Sequence, residues 1–446
     1  MLYTCAGQGS PSKPSMKKIK IDGWERCKDH LQSCYLNREP EPTRWSKLGG
    51  PDLHLDVAII QSKVLDDKFC REHSMGILKK NVHYITIDKI LTTGHQKIIL
   101  IEGDPGAGKT TITIKMCKQW AESKFLQDEL MFLIPLRDPY LQKVSTSDEL
   151  FDKLSCSEMK EYVHQYNGKG LVFILDGWDE LPDDLQSHSF YHDIIFRNAA
   201  FSCSTIIVTS RPSCSDQLAE KVGDRHYQIL GFTPRMVQIY INAYFTKDFR
   251  SAECLLDALK VRSYLRQDFY IPVTVVIMCY VYHRNDNYLP GTLSKLYEKF
   301  VILCIRANVP ENLKKKVNSL HQLPEELKSV FTKLCKIALE MLVDNKLYFD
   351  GDELEDELKQ LTFTSTDVFG LLSIEHVTNE YADKDTRCSF IHRSVQELLS
   401  SVSLVQYSCV QDYIDKHFLY GSYLLNVFPF VFGLIPKKYL NPLAEN

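Results

Sequence analysis

A doubly wound α/β domain with a parallel sheet, followed by a helical region, is the fold class this sequence predicts, and three observations predict it. From residue 97 onward, short and largely apolar runs recur at Ile98–Ile101, Leu130–Leu136, Leu171–Leu175, Thr205–Thr209 and Tyr227–Leu230. Runs without polar alternation suit parallel strands covered on both faces. Helical stretches separate them, the alternation that places helices on both sides of one sheet. After Gly231 the strand signal fades and helical periodicity takes over.

Taken in order, residues 1–20 are rich in Gly, Ser, Pro and Lys and read as a disordered leader. Residues 21–94 are mixed, with a plausible strand, DVAII, inside Leu53 to Val64, and no chemistry can be assigned to them. The α/β domain is expected over 95–232. Thr233-Pro234 then looks like an N-cap followed by proline at the first helical position. Val237, Ile241 and Phe245 follow at helical spacing, and further helices are expected at 271–283, 292–307 and 324–344. The stretch 365–402 reads as short elements ending in a helix that carries IHRSVQELLSS. No repeat of fixed 20–50-residue period is visible, which excludes a solenoid or propeller array within this sequence.

At 446 residues the chain is long enough for two to four packed units. Lys plus Arg is 53 and Asp plus Glu is 57, a net charge of -4 that argues against a protein built mainly to coat nucleic acid or an anionic membrane. A local basic patch stays open. The 14 cysteines include no C-x-x-C pair, so neither a zinc ribbon nor a thioredoxin-type motif is available. The N-terminus lacks the apolar core of a secretory signal, and the thiols are read as reduced, in a cytoplasmic protein. The longest strongly apolar run, Ile271 to Tyr282, is far short of the roughly 20 residues of a membrane span.

The strongest motif is Gly103-Asp104-Pro105-Gly106-Ala107-Gly108-Lys109-Thr110, a full G-x-x-x-x-G-K-[ST] match between strand KIILI and helix TITIKMCKQWAE. By multiplication of average residue usage, chance supplies such a match in about 1–2% of chains this long. Glycines allow backbone N–H groups to point inward as an anion nest, and the helix N-terminus adds its positive dipole end. Lys109 is then expected on the β and γ phosphates, the Thr110 hydroxyl on Mg²⁺, and Thr111 beside it in the first turn. This makes the first domain a P-loop NTPase.

The second motif is LVFILDGWDE, residues 171–180, an apolar strand ending in Asp176. A carboxylate there is placed to hold Mg²⁺ opposite Thr110. Asp179 and Glu180 follow in the turn, within reach of an attacking water. Alone, acids after a strand are the commoner mark of a solvated helix start; behind a phosphate loop the reading reverses. The third motif, Thr205 to Pro212, delivers Arg211 to the same sheet edge, where it either senses a γ-phosphate or is a surface arginine.

GDPGAGKTT, FILDGWDEL, IIVTSRP and ILGFTP together resemble the NACHT domain of STAND-class signalling NTPases, and the chain is similar over roughly 95–435 to NOD-like receptors. The small residue Gly177 after the metal aspartate, with acids at Asp179 and Glu180, sets the pattern apart from ordinary AAA+ ATPases. The resemblance implies that Pro272, in YIPVTVVIMC, packs on the adenine from a helical domain (233–310). It also implies that His392, in FIHRSVQE, reaches the β-phosphate of ADP from a winged-helix domain (311–402). A lone proline there is usually just a helix start, and a lone histidine usually structural. Ile271 departs from the small or polar residue many relatives carry. Residues 403–446 read as the start of a further helical domain, truncated, and neither an effector domain before 95 nor a sensor repeat after 435 is recognisable.

The resemblance implies an ATP/ADP-binding switch with slow Mg²⁺-dependent hydrolysis. Nucleotide would control its self-association, or association with related NACHT proteins, in innate-immune-like intracellular signalling. The downstream adaptor is not identified. The alternatives are an adaptor or decoy that binds nucleotide without hydrolysing it, and an AAA+-type turnover ATPase, for which neither an arginine finger nor a pore loop can be found.

Overall fold

The computed structural model describes residues 23–37, 57–61, 84–92, 97–104, 106–197, 201–261, 270–344, 346, 348–359, 361, 368–378, 384–406 and 427–434. The leader expected at 1–20, the phosphate-loop residue Pro105 and most of 403–446 lie outside them.

Among the described residues, six strands form the main sheet: β1 (Ala58–Gln61), β2 (Lys97–Gly103), β3 (Leu130–Pro135), β4 (Leu171–Asp176), β5 (Thr205–Ser210) and β6 (His226–Gly231), in the order β1-β6-β2-β5-β4-β3. The five strands from β2 to β6 pair in parallel. All six residues of β4 are buried, as expected of an apolar strand paired on both sides in a covered sheet. The sixth strand comes from ahead of residue 95: β1, the DVAII segment, pairs antiparallel with β6 through Ile59 and Ile229. An antiparallel edge on a parallel sheet is common.

The other edge is β3, and helix α1 (Trp24–Asn37) covers it. The Tyr35 hydroxyl donates to the Met131 carbonyl at 2.9 Å and accepts from the Leu133 N–H at 3.0 Å. One side chain thus satisfies two groups of a strand edge that would otherwise be open to another chain. Cys27, Leu31 and Tyr35 join the same apolar core as Ile101, Phe173 and Val208. Residues 21–94, to which the sequence assigns no chemistry, therefore supply an edge strand and an edge cover.

Helix α2 (Lys109–Ala121) follows the phosphate loop. Beyond β6, α3 (Pro234–Tyr244) starts at Thr233, whose side chain accepts the Met236 N–H at 3.3 Å, with Pro234 in the first turn. Then come α4 (Phe249–Val261), α5 (Pro272–Arg284), α6 (Leu293–Ala307) and α7 (Glu325–Val343). Every residue of α5 from Val273 to Tyr282 is buried, so the long apolar run is a core helix. No described helix is long and apolar enough to cross a membrane.

A small antiparallel sheet, β7 (Phe349–Asp350), β9 (Lys384–Phe390) and β8 (Leu372–Thr378), in the order β7-β9-β8, precedes α8 (Arg393–Gln406) and α9 (Phe428–Leu434). Helix α8 packs on α7, and Gln396 Nε2 donates to the Ala338 carbonyl at 3.3 Å. The core of this region is continuous with that of α3 to α6.

Candidate functional site

One side of the candidate site hangs from the C-terminal ends of three adjacent strands, β2, β5 and β4, where open α/β sheets bind ligands. The loop after β2 needs glycine for two separate reasons. Gly106 (φ 77°) and Gly108 (φ 107°) occupy the left-handed region that side chains disfavour. A Cβ at Gly106 would also lie 2.5 Å from Val273 Cγ1 and 3.1 Å from both Ile271 Cγ2 and His392 Cε1. Residues at the start of α5 and just before α8 therefore close on the phosphate loop from two sides.

Gly108 caps α2 and has no side chain to satisfy the first-turn N–H groups. A bare helix start of this kind suits an anion. Lys109 lies over its own loop, its Nζ donating to the Gly103 carbonyl at 2.7 Å. Burial holds its ammonium below the usual lysine range, opposed by Asp179, Glu180 and Asp176 and reinforced by Arg211. Asp104 and Thr111 are exposed, Ala107 is buried, and Gly103 and Thr110 begin and end the motif at the strand and helix.

Asp176, 3% exposed, ends β4. Its Oδ1 accepts from the Thr209 hydroxyl at 2.7 Å, and Thr209 Oγ1 in turn accepts the Gly177 N–H at 2.8 Å. Thr209 thereby fixes the carboxylate and the turn behind it, and a hydroxyl inside an apolar strand is the signal in the sequence that marks it. No group of three or more His, Cys, Asp or Glu among the described residues forms a metal cage. One buried carboxylate and one hydroxyl instead suit Mg²⁺, which keeps waters and arrives with a phosphate.

The acidic turn separates its two carboxylates into different environments. Asp179 is committed to Arg211: Oδ2 meets Arg211 Nε at 2.8 Å and Oδ1 accepts the Arg211 backbone N–H at 3.2 Å. Glu180 is pushed up to about 7, first by burial, with Arg137 pulling down and Asp179 and Asp176 pushing up. Two acids with environments pulled apart are the mark of divided acid–base roles. Arg137, just past β3, is a further cation at this edge.

Arg211 is not an isolated surface group. Besides Asp179 it faces Glu397 of α8, Nη1 to Oε1 3.7 Å. His392 Nδ1 accepts the Ser394 N–H at 3.1 Å and contacts Ser394 Oγ at 2.7 Å, which favours the ring proton on Nε2 as a donor. Pro272 begins α5 and packs beside Gly231 at the end of β6, its Cδ 3.4 Å from where a Gly231 Cβ would be. The site residues of the sheet edge, together with His392, are thus brought together, and Pro272 stands at the rim next to Ile271.

Comparison with known proteins agrees with this geometry. Residues 97–248 match the NACHT domain model. NLR family CARD domain-containing protein 4 of Xenopus tropicalis is 25% identical over 427 residues, 94% of this chain and 40% of that protein. Protein NLRC5 of Ictalurus punctatus is 24% identical over 358 residues, 71% of this chain and 20% of that protein. This chain therefore spans less than half the length of these relatives. A solved STAND protein with a tetratricopeptide repeat sensor from Pyrococcus horikoshii is 14% identical, with a TM-score of 0.32 over 78% of this chain and 47% of that one. Residues 97–248 thus match the NACHT domain, and the chain is similar over most of its length to NOD-like receptors.

Proposed function

We propose that this protein is an ADP/ATP-operated switch in intracellular signalling. Its phosphate loop, Gly103 to Thr110 with Thr111 behind it, holds the nucleotide phosphates, with Lys109 neutralising them. Thr110 and Asp176 hold Mg²⁺ when nucleotide brings it, and the ion would offset phosphate charge. Glu180 accepts a proton from an attacking water in a slow hydrolysis. Asp179 aims Arg211, so its part in hydrolysis is to position that arginine. His392 donates from Nε2 to a β-phosphate, and Pro272 lies against the adenine. The helical part at 233–310 and the part at 311–402, which we read as winged-helix-like, close the molecule, and loss of that closure frees it to self-associate.

The convergence at Gly106 carries this reading. Ile271, Val273 and His392, from segments more than 100 residues along the chain, meet the one glycine of the phosphate loop where any Cβ would collide. Distant segments that converge on a phosphate loop are positioned to respond to what it holds.

The test is the identity of the nucleotide that co-purifies with the chain, with its oligomer size in ADP and in ATP. Bound ADP, a monomer in ADP, a larger species in ATP and near-stoichiometric turnover are expected. Retained nucleotide with no hydrolysis would replace the switch by an adaptor or decoy, and sustained rapid turnover by a motor ATPase.

A further inference from the structure

Arg211 is held from two sides with very different quality. On the sheet side Asp179 grips it at 2.8 Å. On the other side stands Glu397, one turn after Arg393 on α8 and 3% exposed at its side chain. Glu397 Oε1 is 3.7 Å from Arg211 Nη1 and 4.0 Å from Arg393 Nε, separations of an ion pair without a hydrogen bond. Neither Glu397 Oε1 nor Arg393 Nε has a hydrogen-bond partner among the described residues. Burial holds the Glu397 carboxyl above the usual carboxylate range, against the pull of Arg211, Arg393 and Lys109.

A buried carboxylate oxygen without a hydrogen bond recovers little of its desolvation cost, so its negative charge depends on the surrounding positive potential. That potential comes from Arg211, Arg393 and Lys109, the cations beside the phosphate loop. Polyphosphate and Glu397 therefore draw on the same positive charge. Each added phosphate negative charge sharpens the conflict, whereas Asp179, with two short bonds to Arg211, is not the partner that yields.

We propose that Glu397 is a specificity residue of the nucleotide site: its carboxylate competes with a third phosphate for Arg211, so the closed arrangement prefers a nucleoside diphosphate to the triphosphate. This rests on the nucleotide reading above. Arg393, one turn earlier on α8, favours the ionised form of Glu397 against the upward push of burial. Because Glu397 belongs to α8, the same competition loosens α8 from the sheet edge when triphosphate is bound.

The experiment is equilibrium binding of ADP and of the slowly hydrolysed analogue ATPγS to the full chain by calorimetry, in the wild type and in Glu397→Gln. The variant is expected to shift the affinity ratio toward ATPγS by about tenfold or more, within the usual span of couplings between charges. Glu397→Asp, which keeps the charge, is expected to stay nearer the wild-type ratio. Glu397→Met, apolar and of similar length, replaces the Gln variant if that one fails to fold, and the same shift is expected. A folded Gln or Met variant with the wild-type ratio would overturn this proposal and leave nucleotide binding standing. A wild type that binds neither nucleotide would overturn the nucleotide reading itself, and this proposal with it.

Discussion

The two sides of the site are built by opposite means. On the sheet side, Lys109, Asp176, Asp179, Glu180 and Arg211 all sit within a few residues of the ends of β2, β4 and β5, so parallel pairing alone brings them together. On the helical side, Ile271, His392 and Glu397 reach the same place only because α5 and α8 belong to one continuous core that lies against the phosphate loop. The first side is short-range, with bonds of 2.7–2.8 Å at Asp176, Asp179 and Lys109. The second makes longer contacts, 3.7 Å at Glu397. On the switch reading proposed above, hydrolysis falls to the first side and the response to ligand to the second, where the contacts are longer.

The sharpest way to break this division is Glu180→Gln. If hydrolysis belongs to the sheet side, the change should lower turnover by about 10²–10⁴-fold and leave Mg·ATP affinity nearly intact. Single-turnover hydrolysis with parallel binding measurements checks it, and unchanged turnover would reduce the acidic turn to a helix start. Lys109→Ala comes next. Truncating one partner of a buried charge pair costs about 2–5 kcal/mol, roughly 30-fold or more in affinity. Fluorescent-nucleotide titration should show both ADP and ATP weakened; near-normal affinity would remove Lys109 from the site.

His392→Leu probes the other side. A hydrogen bond to a charged group contributes about 1.5–3 kcal/mol, so the closed-to-open ratio should fall by roughly 10- to 100-fold. Faster ADP release in stopped flow and more light scattering are expected, with Lys109-dependent ATP binding kept. A folded mutant that releases ADP at the wild-type rate and stays monomeric would show that the helical side is no latch.

A smaller effect should appear with pH. Glu180, pushed up to about 7, is protonated below that pH and becomes a base above it. Hydrolysis should therefore rise by about tenfold from pH 6 toward pH 8 and then level. The rise should vanish in Glu180→Gln. A flat profile in the wild type would assign the base elsewhere. The smallest change expected is Tyr35→Phe, which strips the β3 edge of two hydrogen bonds. A loss of about 1 kcal/mol in denaturant unfolding is expected, with nucleotide affinity unchanged. Altered affinity would tie α1 to the site.

The strands, the phosphate loop and Asp176 were legible because each is a local pattern: an apolar run, a glycine spacing, an acid at a strand end. The buried helix Pro272–Arg284 was legible for the same reason, since the run from Val273 to Tyr282, apolar except for Thr274, leaves no polar face. Tyr35, Thr209, Arg137, Arg393 and Glu397 were not assigned roles. Nothing near Tyr35 in the sequence names Met131 and Leu133 as its partners. Glu397 stood inside the quoted FIHRSVQE motif, yet a glutamate at helical spacing reads as a solvated face until the helix is seen buried.

By itself the sequence determined what each strand end carries, because backbone pairing and the glycine turns convert short patterns directly into geometry. Only the tertiary structure set the two acids of the turn in different environments. Burial of Asp179 against Arg211 takes one carboxylate out of reach of water, while burial without so close a partner raises the other toward neutrality. It alone also decided that a helix almost 200 residues past Arg211 brings a carboxylate to that arginine. Desolvation and long-range charge depend on what surrounds a residue in space, and chain order does not encode the surroundings.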